Sequence, residues 1–307
     1  MKNKSVKTYI SRIIKNRYKS HSKFKPSIYW ADFSRNFRYV YNLSAAELKR
    51  IRYHTFHLTS DSYLSYYFAS KDFKLIILKG YNFFIKKGKL ALIDEGKDGI
   101  GVNTKFGLIS HDLVRYLGVV CDLLDAEVFN KKQKSLILEI GGGYGGLARS
   151  ILINNSKSSY FIIDLEETLF FSAIYLSNKF GASKVHLINK TLKPNQILSG
   201  HIYIVPQSKI KFIDDIHFNL VISQQSLQEM TAHQVKYYLA WIKKHTDFMY
   251  SCNLVDHGDL ATHKKIVLNL PDILINFFNI PLWIGKKPAI GFYYGDNHLN
   301  RAVYKCK

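Results

Sequence analysis

From about residue 135 onward, short apolar runs alternate with stretches whose apolar residues recur every three or four positions. Residues 135–140, 160–164, 201–205, 218–223 and 248–252 read as five buried strands, and 185–188 as a short extra one. Between them, residues 146–154, 166–180 and 231–244 carry helical spacing. Strands and helices that alternate in this way imply parallel α/β units with helices on both faces of a sheet. Two further strands close the chain, 290–294 and 302–306, joined through Gly295, Asp296 and Asn297. That triplet is a strong turn signal, so the expected fold is α/β with a parallel sheet and an antiparallel C-terminal hairpin.

Before residue 130 the pattern is different. Residues 1–60 are basic and aromatic with helical pieces, and 61–90 contain more helix-like segments. Ser44, followed by Ala45, Ala46 and Glu47, is a capping box: the serine hydroxyl serves a free amide of the first turn and Glu47 reaches back. A loop with Gly96, Gly99, Gly101 and Gly107 follows, and Ser110 then caps a helix running through Leu113, Leu117, Val120 and Leu124. The expected organisation is a mainly helical N-terminal extension over 1–130 and an α/β domain over 131–307.

Composition adds two constraints. With 47% hydrophobic and 22% charged residues the chain is globular in character, and the three cysteines, Cys121, Cys252 and Cys306, lack metal-ligand spacing and suit a reducing compartment. Residues 1–25 lack the apolar core of a secretory signal, and no run approaches the ~20 apolar residues of a membrane span, which reads as a soluble, cytoplasmic chain. The second constraint is charge: 44 Lys and Arg against 23 Asp and Glu give +21. Nine of these cations, from Lys2 to Lys25, precede any acid. They read either as a solvated tail or as an anion-binding segment. Val6, Ile10, Ile13 and Ile14 fall on one helical face, so a basic helix lying on an anionic membrane surface fits as well.

The strongest chemical signal is the first strand running into Glu139, Ile140, Gly141, Gly142, Gly143, Tyr144, Gly145 and Gly146. Glycines let the backbone approach a ligand, and the helix behind presents free N–H groups. The spacing of Gly141, Gly143 and Gly146 matches a dinucleotide fingerprint. Read as Glu-x-Gly-x-Gly-x-Gly, the same run resembles motif I of class I methyltransferases. Charge separates the two readings: Glu139 would repel a pyrophosphate and attract the sulfonium and ammonium of S-adenosylmethionine. Asp164 closes the second strand, where both kinds of nucleotide site place an acid on ribose hydroxyls.

Several segments together resemble the sugar O-methyltransferases of bacterial surface-polysaccharide gene clusters. They are LEIGGGYGGLA (138–148), YFIIDL (160–165), NLVISQQSLQEM (219–230), YSCN (250–253) and, upstream, ISHDLVRY (109–116). The resemblance implies a Rossmann-like class I methyltransferase sheet, S-adenosylmethionine as co-substrate, and methyl transfer to a sugar hydroxyl on a sugar, nucleotide sugar or lipid-linked glycan. Cofactor contacts are then expected from Glu139, Gly141, Gly143, Gly145 and Asp164, joined at the strand ends by Gln207, Ser223 and Gln224.

Methyl transfer aligns acceptor oxygen, methyl and sulfur, and a sugar hydroxyl benefits from a base. Glu229 is the first candidate for that base and His257 the second, with Asn253 and His233 as acceptor contacts. Glu229 and His233, four apart on one helix face, could also hold a divalent cation with Asp256 or His257, although no spacing indicates a metal. The competing reading makes Glu229 a helix N-terminal acid and His233 a surface residue. His111 and Arg115 read first as capping or surface residues, and second as cover for the cofactor's amino-acid end. The fourth strand ends in Ile222, Ser223 and Gln224, without the Asn/Asp-Pro-Pro-aromatic signature of base-amino methyltransferases. This weighs against a nucleic-acid acceptor despite the charge.

Overall fold

The computed structural model describes residues 26–59, 62–254, 270–285 and 299–306. Its N-terminal part is a string of helices: α1 (Ile28–Asn36), α2 (Ala45–Lys49), α3 (Phe56–Thr59), α4 (Tyr63–Tyr67) and α5 (Lys71–Gly88). The Ser44–Glu47 capping box is formed in both directions at the start of α2. The glycine-bearing loop contains a small antiparallel ribbon that the sequence pattern did not suggest, β1 (Val102–Thr104) with β2 (Gly107–Ile109). Helix α6 (His111–Asp125) follows, with the Ser110 hydroxyl accepting from the Leu113 amide at 3.0 Å.

The sheet then builds through β3 (Leu136–Ile140), α7 (Gly146–Asn154), β4 (Ser159–Asp164), α8 (Glu166–Phe180), β5 (Val185–Leu187) and β6 (Ile202–Pro206). It is completed by β7 (Phe218–Gln224), α9 (Ala232–His245), β8 (Thr246–Leu254), α10 (Leu270–Phe278), β9 (Trp283–Ile284) and β10 (Leu299–Lys305). The eight strands lie in the order β5-β6-β4-β3-β7-β8-β10-β9. Those from β5 to β8 are parallel, and β10 is antiparallel to both its neighbours. This is a Rossmann-like α/β sheet with an antiparallel strand inserted near one edge, the arrangement expected of class I methyltransferases. Within the described residues β10 pairs with Trp283–Ile284, which the sequence reading left out; the strand expected over 290–294 lies outside them.

The chain leaves β3 towards β4 on one side and returns to β7 on the other, so a crevice opens at the carboxyl ends of these strands. The register lines up Ile140 with Ile163 and with Ser223, and Asp164 with Pro206. Gly141, Asp164, Gln207 and Gln224 therefore emerge along one edge. One sheet face packs under α9 and α10 through Leu239, Ile242 and Leu274. The other shares a core with α6 to α8 and with the N-terminal helices, which contribute Val40, Ile51 and Ile77. A buried ion pair ties α6 to β10: Arg301 donates to both Asp122 oxygens at 2.7 Å, and the Tyr250 hydroxyl donates to the same carboxylate at 2.8 Å.

Candidate active site

At the end of β3 the backbone turns through Gly141 (φ 78°), Gly143 (φ 53°) and Gly145 (φ 89°), all in the left-handed region that favours glycine. A Cβ at Gly141 would collide with the Ser226 hydroxyl, whereas one at Gly143 would meet nothing within 4 Å. The turn is pinned on two sides: the Gly141 amide donates to the Ile163 carbonyl at 2.8 Å, and the Gly143 amide to Asp164 Oδ2 at 2.9 Å. Asp164 also receives the Leu165 amide at 2.6 Å. One acid thus couples the end of β4 to the glycine turn of β3.

These elements border a cavity of about 620 Å³. Glu139, Gly141, Gly143, Asp164, Gln207 and Gln224 line it from the sheet, and Glu229 faces it from the short turn after β7. Gly145 and Ser223 stand behind this lining: Gly145 is the N-cap of α7, and Ser223 is fully buried. The far wall comes from the N-terminal extension, through Ser27, Trp30, Leu58 and Phe73, and from His111 and Arg115 of α6. His111 and Arg115 are thus half-buried residues of the cavity wall, with His111 also the first residue of α6. Arg115 donates to Gln225 Oε1 at 2.7 Å and to Asp112 Oδ1 at 2.5 Å, fixing the turn that follows Gln224.

The cavity is acidic, and burial sets the protonation of its acids. Glu139, beneath the glycine turn with Tyr160 donating to Oε2 at 3.0 Å, is pushed up to about 8 by burial. Burial raises Asp164 to about 7 against the two backbone N–H groups that pull it down. Glu229 is raised to about 7, again by burial, while it accepts a hydrogen bond from Trp30 Nε1 at 2.9 Å. Water lost from around a carboxylate favours its neutral form, and a cation beside it would reverse that.

S-adenosylmethionine fits this donor set. The Thr168 hydroxyl and Gln224 Oε1 are buried without a hydrogen-bond partner among the described residues, and both residues line the cavity, so a polar ligand could bond to the hydroxyl as donor or acceptor and to the amide oxygen as acceptor. The open face of Gly143 leaves room for that ligand against the backbone. Asp164 and Glu139 add carboxyl groups from β4 and β3 to the same lining.

Two expected residues are placed elsewhere. His233 is exposed on the first turn of α9, outside the cavity lining. It does not share a helix face with Glu229, because Met230 and Thr231 are extended and α9 starts afresh at a Thr231–Gln234 capping box. Asn253 is likewise no acceptor contact in this arrangement. It is buried, accepts from the Ser226 amide at 3.1 Å and donates to Ser251 Oγ at 2.9 Å, and so braces the turn that carries Ser226. His257 and Asp256 lie outside the described residues, and among those residues no group of three His, Cys, Asp or Glu side chains is disposed to hold a metal. Trp30 and Thr168 were missed by sequence reading. Thr168 lies in the first turn of α8, four positions after Asp164, a local signal, but Trp30 meets Glu229 across 199 positions and leaves none.

No protein-family model and no curated protein matches the chain. Among solved structures, similarity extends to M. capricolum TrmK in complex with S-adenosyl-homocysteine, at 13% identity over 65% of this chain and 69% of that one, with a TM-score of 0.37. It also extends to an O-methyltransferase family 2 protein from Planctomyces limnophilus in complex with apigenin, at 11% identity over 62% and 58% with a TM-score of 0.39. A third is the CurJ carbon methyltransferase, at 11% identity over 64% and 54% with a TM-score of 0.43. These likenesses are distant, and the functional reading rests on the chain's own site.

Proposed function

We propose that the chain is an S-adenosylmethionine-dependent O-methyltransferase acting on a sugar hydroxyl. The observation that carries this reading is Glu139, buried beneath the glycine turn and facing the same cavity as Asp164. A cationic amino-acid end beside Glu139 would draw it into its charged form and be held by it, whereas a pyrophosphate would find a neutral acid and no cation there. The co-substrate supplies an electrophilic methyl on a sulfonium. Glu139 and Asp164 hold its two ends, the glycine turn approaches it closely, and the N-terminal helices exclude water. In the transfer, the acceptor oxygen forms the new bond to the methyl carbon, the carbon–sulfur bond breaks with its electron pair going to sulfur, and the hydroxyl proton passes to Glu229. A carboxyl near 7 suits that role, being ionised in good part at neutral pH while remaining basic. The sugar acceptor is supported by the resemblance through residues 219–230 and 250–253. Trp30 and the amides of Gln228 and Gln234 border the cavity beside Glu229, and these groups match the faces and hydroxyls of a sugar ring.

The +21 charge favours a second reading, methylation of a nucleic acid. The end of β7, Ile222, Ser223 and Gln224, lacks the Asn/Asp-Pro-Pro-aromatic signature of base-amino methyltransferases and argues against it.

Calorimetric titration with S-adenosylhomocysteine and, separately, NADH tests the proposal, on the wild type and on Asp164→Ala. Binding of the homocysteine product alone, lost in the variant, is the expected result. Binding of NADH, or of neither, would overturn it. Activity on RNA rather than on nucleotide sugars would move the acceptor to the second reading.

A further inference from the structure

The segment that walls the cavity on its N-terminal side carries, on its outer surface, a dense group of exposed rings and aliphatic side chains. Exposure runs from 40% at Tyr53 through 48% at Tyr63, 61% at Leu64 and 65% at Tyr67 to 76% at Phe68. The rings form one continuous set: Tyr53 stacks on Tyr63 at 5.5 Å between centroids, Tyr63 meets Tyr67 at 6.1 Å, and Tyr67 meets Phe68 edge-on at 4.9 Å. The next helix, α5, which starts after a gap of three residues from Tyr67, adds exposed Leu75 and Ile76 in its first two turns, 48% and 41%, together with exposed Lys71, Lys74 and Lys79. Asp72 is the one acid of α5. A cluster of large apolar groups open to water marks a contact surface.

We propose that this face is a docking surface for an anionic lipid bilayer. Tyrosines flanked by aliphatic side chains and lysines match the boundary between headgroups and acyl chains, where rings sit at headgroup level and cations meet lipid phosphates. The net charge of +21 is complementary to such a surface. A second copy of the chain would bring Lys71, Lys74 and Lys79 against their equivalents or near them. A single-stranded nucleic acid would use the rings as stacking platforms and leave Leu64, Leu75 and Ile76 in water. No helix among the described residues is long and apolar enough to cross a membrane, and the contact proposed is one of a surface with headgroups. The same segment lines the cavity through Leu58, Ser65 and Phe73, which sets the cavity beside the docked surface. The inference does not depend on the methyltransferase reading.

Sedimentation of the full chain with phosphatidylcholine vesicles, and with vesicles also containing phosphatidylglycerol, tests it. The wild type is expected to pellet with the anionic vesicles and to be released by salt, and Tyr67→Ser/Phe68→Ser to bind at least about tenfold more weakly. Circular dichroism checks that the double variant is folded. Independently, Phe68→Trp should give a blue-shifted emission, quenched by brominated lipid, when anionic vesicles are added. Three outcomes would each overturn the proposal. The wild type could stay in the supernatant, the double variant could bind as tightly as the wild type, or the emission of the indole introduced by Phe68→Trp could be unmoved on vesicles that pellet the protein. In the last two cases the lipid contact would lie in the lysine-rich residues 1–25 or another surface.

Discussion

Gly141 and Gly143 meet the same backbone requirement with different consequences. Both have positive φ, so an alanine at either costs about 1–2 kcal/mol of left-handed strain. At Gly141 the added Cβ also strikes Ser226, whose position Asn253 fixes, so Gly141→Ala is expected to lose more stability than that. At Gly143 the Cβ enters open space beside the cavity. Gly143→Ala should therefore cost only the strain and yet weaken S-adenosylhomocysteine binding, a split read by urea unfolding alongside titration. Equal stability losses would mean that the collision at Gly141 is relieved by movement of Ser226. Arg52 shows a third kind of residue. It is buried between Asp112, to which it donates at 2.7 Å, and Glu95 at 3.8 Å, with its guanidinium 4.1 Å from the centre of the Tyr144 ring in the glycine turn. Arg52→Met leaves two buried acids short of a cation and should destabilise the fold by about 3–5 kcal/mol in urea unfolding. Arg52→Lys, which keeps the charge and loses the planar fork, should lie between.

Among the elements, α1 and the turn carrying Glu229 act as a pair. Trp30 Nε1 reaches across from α1 to Glu229, so one hydrogen bond closes the wall and orients the proposed base. Glu229→Gln keeps an oxygen for Trp30 and removes the titrating group. Its expected result is S-adenosylhomocysteine binding near the wild-type value and kcat lower by about 10²- to 10⁴-fold. Trp30→Phe, which keeps the Glu229 carboxyl and frees its orientation, should raise the acceptor KM and move the pH dependence of kcat upward, because the Trp30 hydrogen bond holds the Glu229 value down against burial. Unchanged kcat in Glu229→Gln would remove Glu229 as the base. The strands and helices of the sheet were legible in sequence because each is a local periodic pattern; α8 begins and ends at the expected residues, 166 and 180. The glycine turn and Asp164 were legible for the same reason, since strand ends are local features and the parallel register brings them together. The Trp30–Glu229 bond was not, because it depends on how the extension folds back over the sheet. Asn253 and His233 were misplaced for a different reason. Both lie near the crevice in sequence order, but burial turned Asn253 inward as a brace, and the break at Met230 and Thr231 turned His233 out. The capping pair Thr231 and Gln234 was the available sign that a new helix started there.

Over the whole molecule, a chain of net charge +21 encloses a cavity whose acids are pushed by burial towards their protonated forms. Burial lifts Glu139 from 4.5 to about 8, Asp164 from 3.8 to about 7 and Glu229 from 4.5 to about 7. A carboxyl whose value is raised on folding holds its proton more tightly in the native state than in the unfolded chain. Its effect is therefore most favourable below the unfolded value, and stability is lost as pH climbs through the folded one. The window set by these groups runs from about 4 to about 8. The thermal midpoint of the ligand-free protein should fall across that window, and Asp164→Asn, which removes one titrating group, should flatten the fall. A cationic ligand reverses the term by favouring the charged carboxylates, so S-adenosylhomocysteine, through its ammonium, should raise the midpoint more at pH 8 than at pH 5. Binding near pH 6 should release protons, which makes the calorimetric enthalpy depend on the ionisation enthalpy of the buffer. A midpoint that rose from pH 5 to pH 8 without ligand, together with a buffer-independent enthalpy, would mean that the cavity acids are already ionised. The site would then owe its affinity to the glycine turn and not to charge.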